Sequence, residues 1–264
     1  MINILFIGDV NGKPGRQAVR TLLPSLVKEK KIDFVIANGE NAAGGFGLTE
    51  KTFNDLTVSG VEAVTTGNHV WDKKELLAFI DGEPKILRPA NFPESNPGRG
   101  HNIFEKEING KSVRIAVVNL AGRVFMPPVD CPFKAADSII SSVAPSAKII
   151  IVDFHAEATS EKQAMGYFLD GRVTAAIGTH THVQTADEKI HEKGTAYITD
   201  AGMTGPFDSV IGVKKEIIVK RFLSFLPEAF ELAKGDVRLN GVIVSADEET
   251  GKALKIERLN IKSE

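Results

Sequence analysis

Thiols are almost absent from this chain: Cys131 is the one cysteine in 264 residues. No intramolecular disulfide can form, and a cysteine-based structural zinc site is excluded. Long apolar runs are missing too. No stretch approaches the ~20 residues that a membrane helix requires. The opening MINILFIGDV has neither the basic n-region nor the small-residue cleavage site of a secretory signal. These absences lead to the expectation of a cytoplasmic protein with no membrane partner. A charge excess is also lacking, since the formal net charge is −2. A basic footprint for duplex nucleic acid or an anionic bilayer is therefore missing. A short nucleotide stays within reach, because bound metal can supply local positive charge. No G-x-S-x-G elbow exists, GGFG at 44–47 is not a dinucleotide fingerprint, and GDVNGK is one residue short of a P-loop, with Pro14 in the Ser/Thr position. Repeats, low-complexity tracts and long linkers are absent.

What is present is an ordinary globular composition, 42% hydrophobic and 25% charged, enough for one domain over residues 1–264. The first 80 residues alternate strand and helix patterns. Ile2 to Ile7 is a continuously apolar run of the doubly covered kind. A helix from Pro14 to Lys30 follows, with Pro24 as a candidate kink. Strands at Phe34 to Ala37 and Val61 to Thr65 flank a helix over Thr49 to Val58. Asp72 with Glu75 three residues on predicts a capped helix from Lys73 to Ile80. This βαβαβ rhythm implies parallel strands with right-handed crossovers.

Residues from about 84 to 132 read as an inserted, cap-like segment: Pro/Asn/Gly-rich loops around a hairpin of Ile103 to Ile108 and Val113 to Leu120, joined by Asn109-Gly110 in a type I′ turn. Beyond it come a helix from Ala135 to Val143, a strand from Lys148 to Asp153, a helix from Glu161 to Leu169 and a strand from Val173 to Ile177. Strands are expected at Ala196 to Thr199 and Lys215 to Arg221, then a last hairpin of Arg238 to Ser245 and Leu254 to Ile261.

Several of these strands end in metal-ligand chemistry. Gly8-Asp9 with Asn11, Asn38-Gly39-Glu40-Asn41, Gly67-Asn68-His69, Phe154-His155 and Gly178-Thr179-His180-Thr181-His182 each close a predicted strand. Ligands of open α/β sheets bind at the carboxyl ends of strands, so five sequence-distant ends can converge. Carboxylate and amide oxygens with neutral imidazoles suit Mn, Fe or Zn. Seven donors, Asp9, Glu40, Asn41, Asn68, His155, His180 and His182, exceed the needs of one tetrahedral ion. With a carboxylate able to bridge, they suggest two ions about 3.5–4 Å apart. His180 and His182 would face opposite ways on a true strand; a tight loop lets both turn inward. Each residue alone has a plainer reading: Asp9 as a helix cap, Glu40-Asn41 as solvated turn, His155 as a core histidine. Their shared place at strand ends outweighs those readings. His101 and His191 lack that setting and are assigned to the surface or the insert.

The order GD…GEN…GNH…H…GTHTH resembles the metallophosphoesterase, or calcineurin-like, superfamily. Asn11 stands where the first block usually has histidine, and Glu40 where a bridging aspartate usually sits. GDVNGKPGR, NGENAAGGFGLT, TGNHVWD, RPANFP, AGRVFM, FHAEATSEK, GTHTHVQTAD and AGMTGPFDSVIG together resemble the YmdB family over nearly the whole chain. That resemblance implies an α/β fold, a four-layer α/β/β/α sandwich, and phosphodiesterase activity on 2′,3′-cyclic nucleotides. It implies that Asp9, Glu40, Asn41 and His182 hold one ion, and Glu40, Asn68, His155 and His180 the second. His69 would be the general acid. It also implies iron as the metal, with manganese as a functional substitute. On that scheme the ions bring a water's pKa toward neutrality, so that hydroxide attacks phosphorus. Asp72 either caps its helix or orients His69. The expected partner is a small phosphodiester, a cyclic nucleotide or short RNA end, and a homo-oligomer is open. Two rival functions use the same residues: a phosphomonoesterase or nucleotidase, and a non-catalytic metal-binding regulatory protein.

Overall fold

Alternate residues of the first strand, β1 (Ile2–Ile7), enter two different cores. Ile2, Ile4 and Phe6 join one apolar cluster, and Leu5 and Ile7 another. A strand covered on both faces must be apolar throughout, which is why INILFI shows no polar alternation. The computed structural model describes residues 1–108 and 110–263. After β1 come β2 (Asp9–Val10), α1 (Gly12–Glu29), β3 (Phe34–Asn38), α2 (Glu50–Val58), β4 (Ala63–Thr65) and β5 (Ile86–Leu87). The middle of the chain forms β6 (His101–Ile108), β7 (Lys111–Ala121), α3 (Pro132–Val143), β8 (Ile149–His155), α4 (Thr159–Leu169) and β9 (Ala175–Thr179). The remainder is β10 (Lys189–Ile190), β11 (Ala196–Ile198), β12 (Met203–Pro206), α5 (Lys215–Ser224), β13 (Val237–Ala246) and β14 (Ala253–Lys262).

Two sheets result. The first has the order β2-β12-β13-β1-β3-β4-β5, with β14 on β13; the second runs β10-β11-β9-β8-β7-β6. β1, β3, β4 and β5 are mutually parallel, as are β7, β8, β9 and β11. The sheets pack face to face through Ile4, Phe6 and Ile36 of one and Ile115, Val117, Ile151 and Ile177 of the other. Val19, Leu23 and Leu26 of α1 and Phe53 and Leu56 of α2 cover the outer face of the first sheet. Ala136, Ile140 and Val143 of α3 and Met165 and Leu169 of α4 cover the second. Three cores between four layers make the expected α/β/β/α sandwich. Among the described residues no helix is long and apolar enough to cross a membrane.

Three expectations are corrected. The segment from 84 to 132 is not an insert: β5 extends the first sheet, while β6 and β7 pair in register from His101↔Val118 to Ile108↔Lys111. β7 then runs parallel to β8 from Ile115 to Ala121. Its buried stretch IAVVNLA belongs to two cores, so the expected hairpin is present but is built into the second sheet and not into an insert. Asn109 of the expected type I′ turn lies outside the described residues. Second, Lys215 to Arg221 is helical, within α5. Its β-branched run Ile217-Ile218-Val219 imitates a strand, but only Ile218 is buried in that helix, so the apolar residues have no sheet to join. Third, the helix from Lys73 to Ile80 is two short 3-10 segments, Lys74–Ala78 and Ile80–Gly82, with no side-chain cap. Asp72 and Glu75 are occupied elsewhere: Glu75 accepts from the Glu50 N–H, and Asp72 pairs with His69.

Candidate metal centre and active site

Because β1, β3 and β4 point the same way, as do β8 and β9 facing them, the carboxyl ends of both sheets meet at one rim. Gly8-Asp9 follows β1, Glu40-Asn41 follows β3, Gly67-Asn68-His69 follows β4, His155 closes β8, and His180 and His182 follow β9. All eight residues expected from the sequence lie at this rim. Asp9, Glu40, Asn41 and His155 are buried. Close approach of the backbone requires glycine here. A side chain at Gly67 would collide with His155 Nε2 and Glu40 Oε2. The loop after β9 turns both histidines inward by taking left-handed backbone, with φ of 105° at His180 and 65° at His182. Such conformations are costly for residues with a Cβ and persist where function or surrounding structure holds them.

The polar atoms converge without enough protons to satisfy them. His155 Nε2 has Glu40 Oε1, Asn68 Oδ1 and His180 Nδ1 around it, each at 3.0 Å. One ring N–H can serve only one of the three. Glu40, His155 and His180 each offer a ligand atom, all within 4.8 Å of one another. Beside this group lies a second. The Asn41 amide is 3.2 Å from Glu40 Oε1 and 3.0 Å from His182 Nε2. Asp9 Oδ1 stands 4.0 Å from His182 Nε2 and 3.9 Å from His155 Nδ1, buried and without a hydrogen bond. Glu40 Oε1 thus touches both groups. A buried carboxylate oxygen with no partner costs free energy unless a cation sits opposite it. Hard oxygens and imidazoles facing inward are a donor set for one or two such ions.

Supporting residues fix the donors. His155 Nδ1 meets Thr179 Oγ1 at 2.9 Å, and that hydroxyl donates to Asp153 Oδ1 at 2.7 Å. Asp153 is held in turn by Asn38 at 3.0 Å and by the Thr65 hydroxyl. The His180 Nε2 faces Glu157 Oε2 at 3.1 Å, and His182 Nδ1 donates to the Ile211 carbonyl at 2.9 Å. Each ring therefore has one nitrogen anchored and the other aimed inward, the usual arrangement around metal-binding histidine. The loop itself is pinned by Asp200, which accepts from the Thr181 N–H and hydroxyl and pairs at 2.7 Å with buried Lys162. Sequence patterns missed Glu157, Asp153, Thr179 and Asp200. FHAE contains Glu157, but nothing in its spacing distinguishes it from a surface residue.

Burial and charge set the ionisation of the metal-free cluster. Burial alone would raise the Glu40 carboxyl, but the charge and hydrogen bond of His155 override it and hold Glu40 at about 2. Burial opposes the charged form of His155, yet Glu40 and then Asp9 and Asp153 lift it to about 9. Burial, then the neighbouring His155 charge, push His180 down to about 3, so it is a neutral lone-pair donor. Burial raises Asp9 against the pull of His182 and His155.

His69 stands at the edge. Its N–H donates to Glu40 Oε2 at 3.1 Å, and its ring Nδ1 is 2.9 Å from Asp72 Oδ2. Asp72 therefore orients His69 and caps nothing. The cluster opens into a cavity of about 920 Å³. Its other wall is apolar: Phe46, Ile211, Ile218, Phe222, Phe225 and Phe230. The loops 89–102 and 122–133 do not line it, and Phe125 is exposed elsewhere. His191, assigned to the surface from sequence, is buried beside Tyr167 and Tyr197. It sits after the edge strand β10, where those two rings cover it.

A sandwich with both sheets' carboxyl ends around oxygen and imidazole donors defines a metallophosphoesterase, a class that works with divalent metal ions. The chain belongs to the YmdB-like protein family, whose model matches residues 5–259. It is 54% identical, over 263 residues covering 100% of this chain and 98% of the relative, to a 2′,3′-cyclic-nucleotide 2′-phosphodiesterase of Bacillus subtilis (strain 168). The crystal structure of a novel phosphatase from Mycoplasma pneumoniae superposes with a TM-score of 0.91 at 41% identity, over 99% of this chain and 93% of that one. A 5′-nucleotidase from Candida albicans SC5314 shares the fold at a TM-score of 0.57 and 13% identity, over 98% of this chain and 50% of its own.

Proposed function

We propose that this protein hydrolyses 2′,3′-cyclic nucleotides at the 2′ ester, leaving the nucleoside 3′-phosphate. The observation that carries the reading is the crowding at His155 Nε2, three polar atoms at 3.0 Å, beside the unpartnered Asp9 Oδ1. Asp9, Glu40, Asn41 and His182 would hold one cation, and Glu40, Asn68, His155 and His180 the other, with Glu40 shared. Bound there, the cations supply a water acidified toward neutral pH and positive charge against the phosphoryl oxygens. Oxygen and imidazole donors suit iron, with manganese as substitute. His69 delivers a proton from Nε2 to the departing ribose oxygen. Asp72, accepting from Nδ1–H, fixes the ring plane and faces the imidazolium whose second proton, on Nε2, is the one delivered.

Diesters suit this cavity better than monoesters. Apart from histidines, Arg221 is its one basic lining residue among those described, and its guanidinium lies 5.0 Å from the Phe230 ring centre. A monoester dianion calls for more positive charge than a diester monoanion. With added Mn²⁺, cyclic nucleotides and bis(p-nitrophenyl) phosphate should turn over faster than p-nitrophenyl phosphate. A preference for the monoester, or no turnover of any of them, would reject the proposal. Metal analysis of anaerobically purified protein checks for iron.

Metal uptake should release protons. In the metal-free protein the Glu40–His155 pair contributes its full stabilisation between the ordinary values of 4.5 and 6.5. His155, raised to about 9, loses its stabilising effect as pH rises through that value; Glu40, lowered to about 2, loses its effect as pH falls through that one. A cation must displace the His155 proton, so Mn²⁺ affinity should climb with pH until about 9. Titration calorimetry in buffers of different ionisation enthalpy measures the protons released. Affinity that is flat from pH 6 to about 9 would contradict the assignment of His155 as a ligand.

A further inference from the structure

Phe46 lies against His69 with ring centres 5.0 Å apart in an edge-on contact. Phe230 stacks over Phe46 at 6.4 Å, tilted by 24°. The Arg221 guanidinium lies 5.0 Å from the Phe230 ring centre. All four residues line the cavity that exposes Glu40 and His182. Phe230 is 44% exposed and Phe222 82%, so this aromatic wall is not held by the protein core. Large apolar rings left open beside a phosphate-sized polar cluster need an explanation, and a planar ligand joined to that phosphate provides one.

Resting on the cyclic-nucleotide reading above, we infer that Phe46 and Phe230 form the platform on which the nucleobase stacks, and that this platform selects which ester bond breaks. The chemistry of the substrate links the two. In a 2′,3′-cyclic phosphate the 2′-oxygen sits on the carbon next to the one bearing the base. The 3′-oxygen is one carbon further away. A base seated on Phe46 therefore brings the 2′-oxygen, not the 3′-oxygen, to the side of His69. Water then adds its oxygen to phosphorus as the P–O2′ bond breaks. The His69 Nε2 proton passes to the 2′-oxygen, and the proton released by water returns to His69 through solvent. The net change is addition of one water and formation of the 3′-phosphate. Stacking does not distinguish base edges, so the platform accepts all four bases.

The test compares uridine 2′,3′-cyclic phosphate with glycerol 1,2-cyclic phosphate, which has no base. Phe46→Leu and Phe230→Leu should lose about tenfold more kcat/KM on the nucleotide than on the glycerol ester, the loss residing in KM. Chromatography of the products should show 2′-monophosphate emerging in both variants, while Phe230→Trp keeps the 3′-phosphate as the product. Equal losses on the two esters, or 3′-phosphate as the sole product of every variant, would overturn the inference alone. Wild-type protein inactive on both esters would remove the cyclic-phosphodiester reading, and the inference with it.

Discussion

Glu40→Gln should cost about 10³-fold or more in kcat/KM on a cyclic nucleotide, together with most of the bound metal. The expectation follows from position. Glu40 Oε1 touches both groups of donors, at 3.0 Å from His155 Nε2 and 3.2 Å from the Asn41 amide. Its Oε2 accepts the His69 N–H at 3.1 Å. Glutamine keeps the shape but offers one oxygen and no charge. It removes negative charge from the centre and leaves His155 without the carboxylate that raises it to about 9. On the proposed ligand set Glu40 would be shared by both cations, so its loss should lower their occupancy together. Elemental analysis of the purified variant, run beside steady-state kinetics with excess Mn²⁺, reads both effects. Two ions per chain and near wild-type turnover would show that Glu40 is not shared.

His69→Ala has a different signature: turnover of cyclic nucleotides should fall by ~10²–10⁴-fold while metal content stays at the wild-type level. His69 contacts the cluster through its backbone N–H, and its ring turns toward Asp72 and Phe46. On the proposed mechanism it gives a proton and holds no cation. p-Nitrophenolate leaves without help from an acid, so bis(p-nitrophenyl) phosphate should suffer much less than a ribose ester. Asp72→Asn should fall between the two, since it keeps the ring and loses the charge that orients it. Metal lost from His69→Ala would make His69 a ligand and reverse the roles.

Most of the centre was legible because ligand chemistry sits at strand ends, and strand ends are visible as the last apolar residue before a glycine-bearing loop. Gly8-Asp9, Gly39-Glu40, Gly67-Asn68 and Gly178-Thr179-His180 all fit that pattern. The four layers came from the family resemblance; the run INILFI, whose lack of alternation demands cover on both faces, called only for a strand lying between two layers. What escaped has a common cause. α5 exposes most of its apolar residues, so hydrophobic periodicity, which tracks burial, misassigned Lys215 to Arg221 and hid the apolar wall of the cavity. β2 and β12, of two and four residues, are too short to carry a pattern. Asp72 obeyed a capping rule in sequence and a histidine in space. The β6–β7 hairpin was legible but was placed in an insert, because Asn109-Gly110 signals a turn whatever sheet its flanking strands join.

The two layers of strands contribute unequally but jointly to the rim. Asp9, Glu40, Asn41 and Asn68 extend from one, and His155, His180 and His182 from the other. Apart from the apolar interface, cations seated between those sets would tie the halves of the sandwich together. Occupancy and cohesion of the halves then become one thermodynamic quantity: at a free cation concentration one hundred times the dissociation constant, the bound ion adds about 2.7 kcal/mol to the folded state. In such a molecule the catalyst is also a rivet, and starvation for metal weakens the scaffold along with the chemistry.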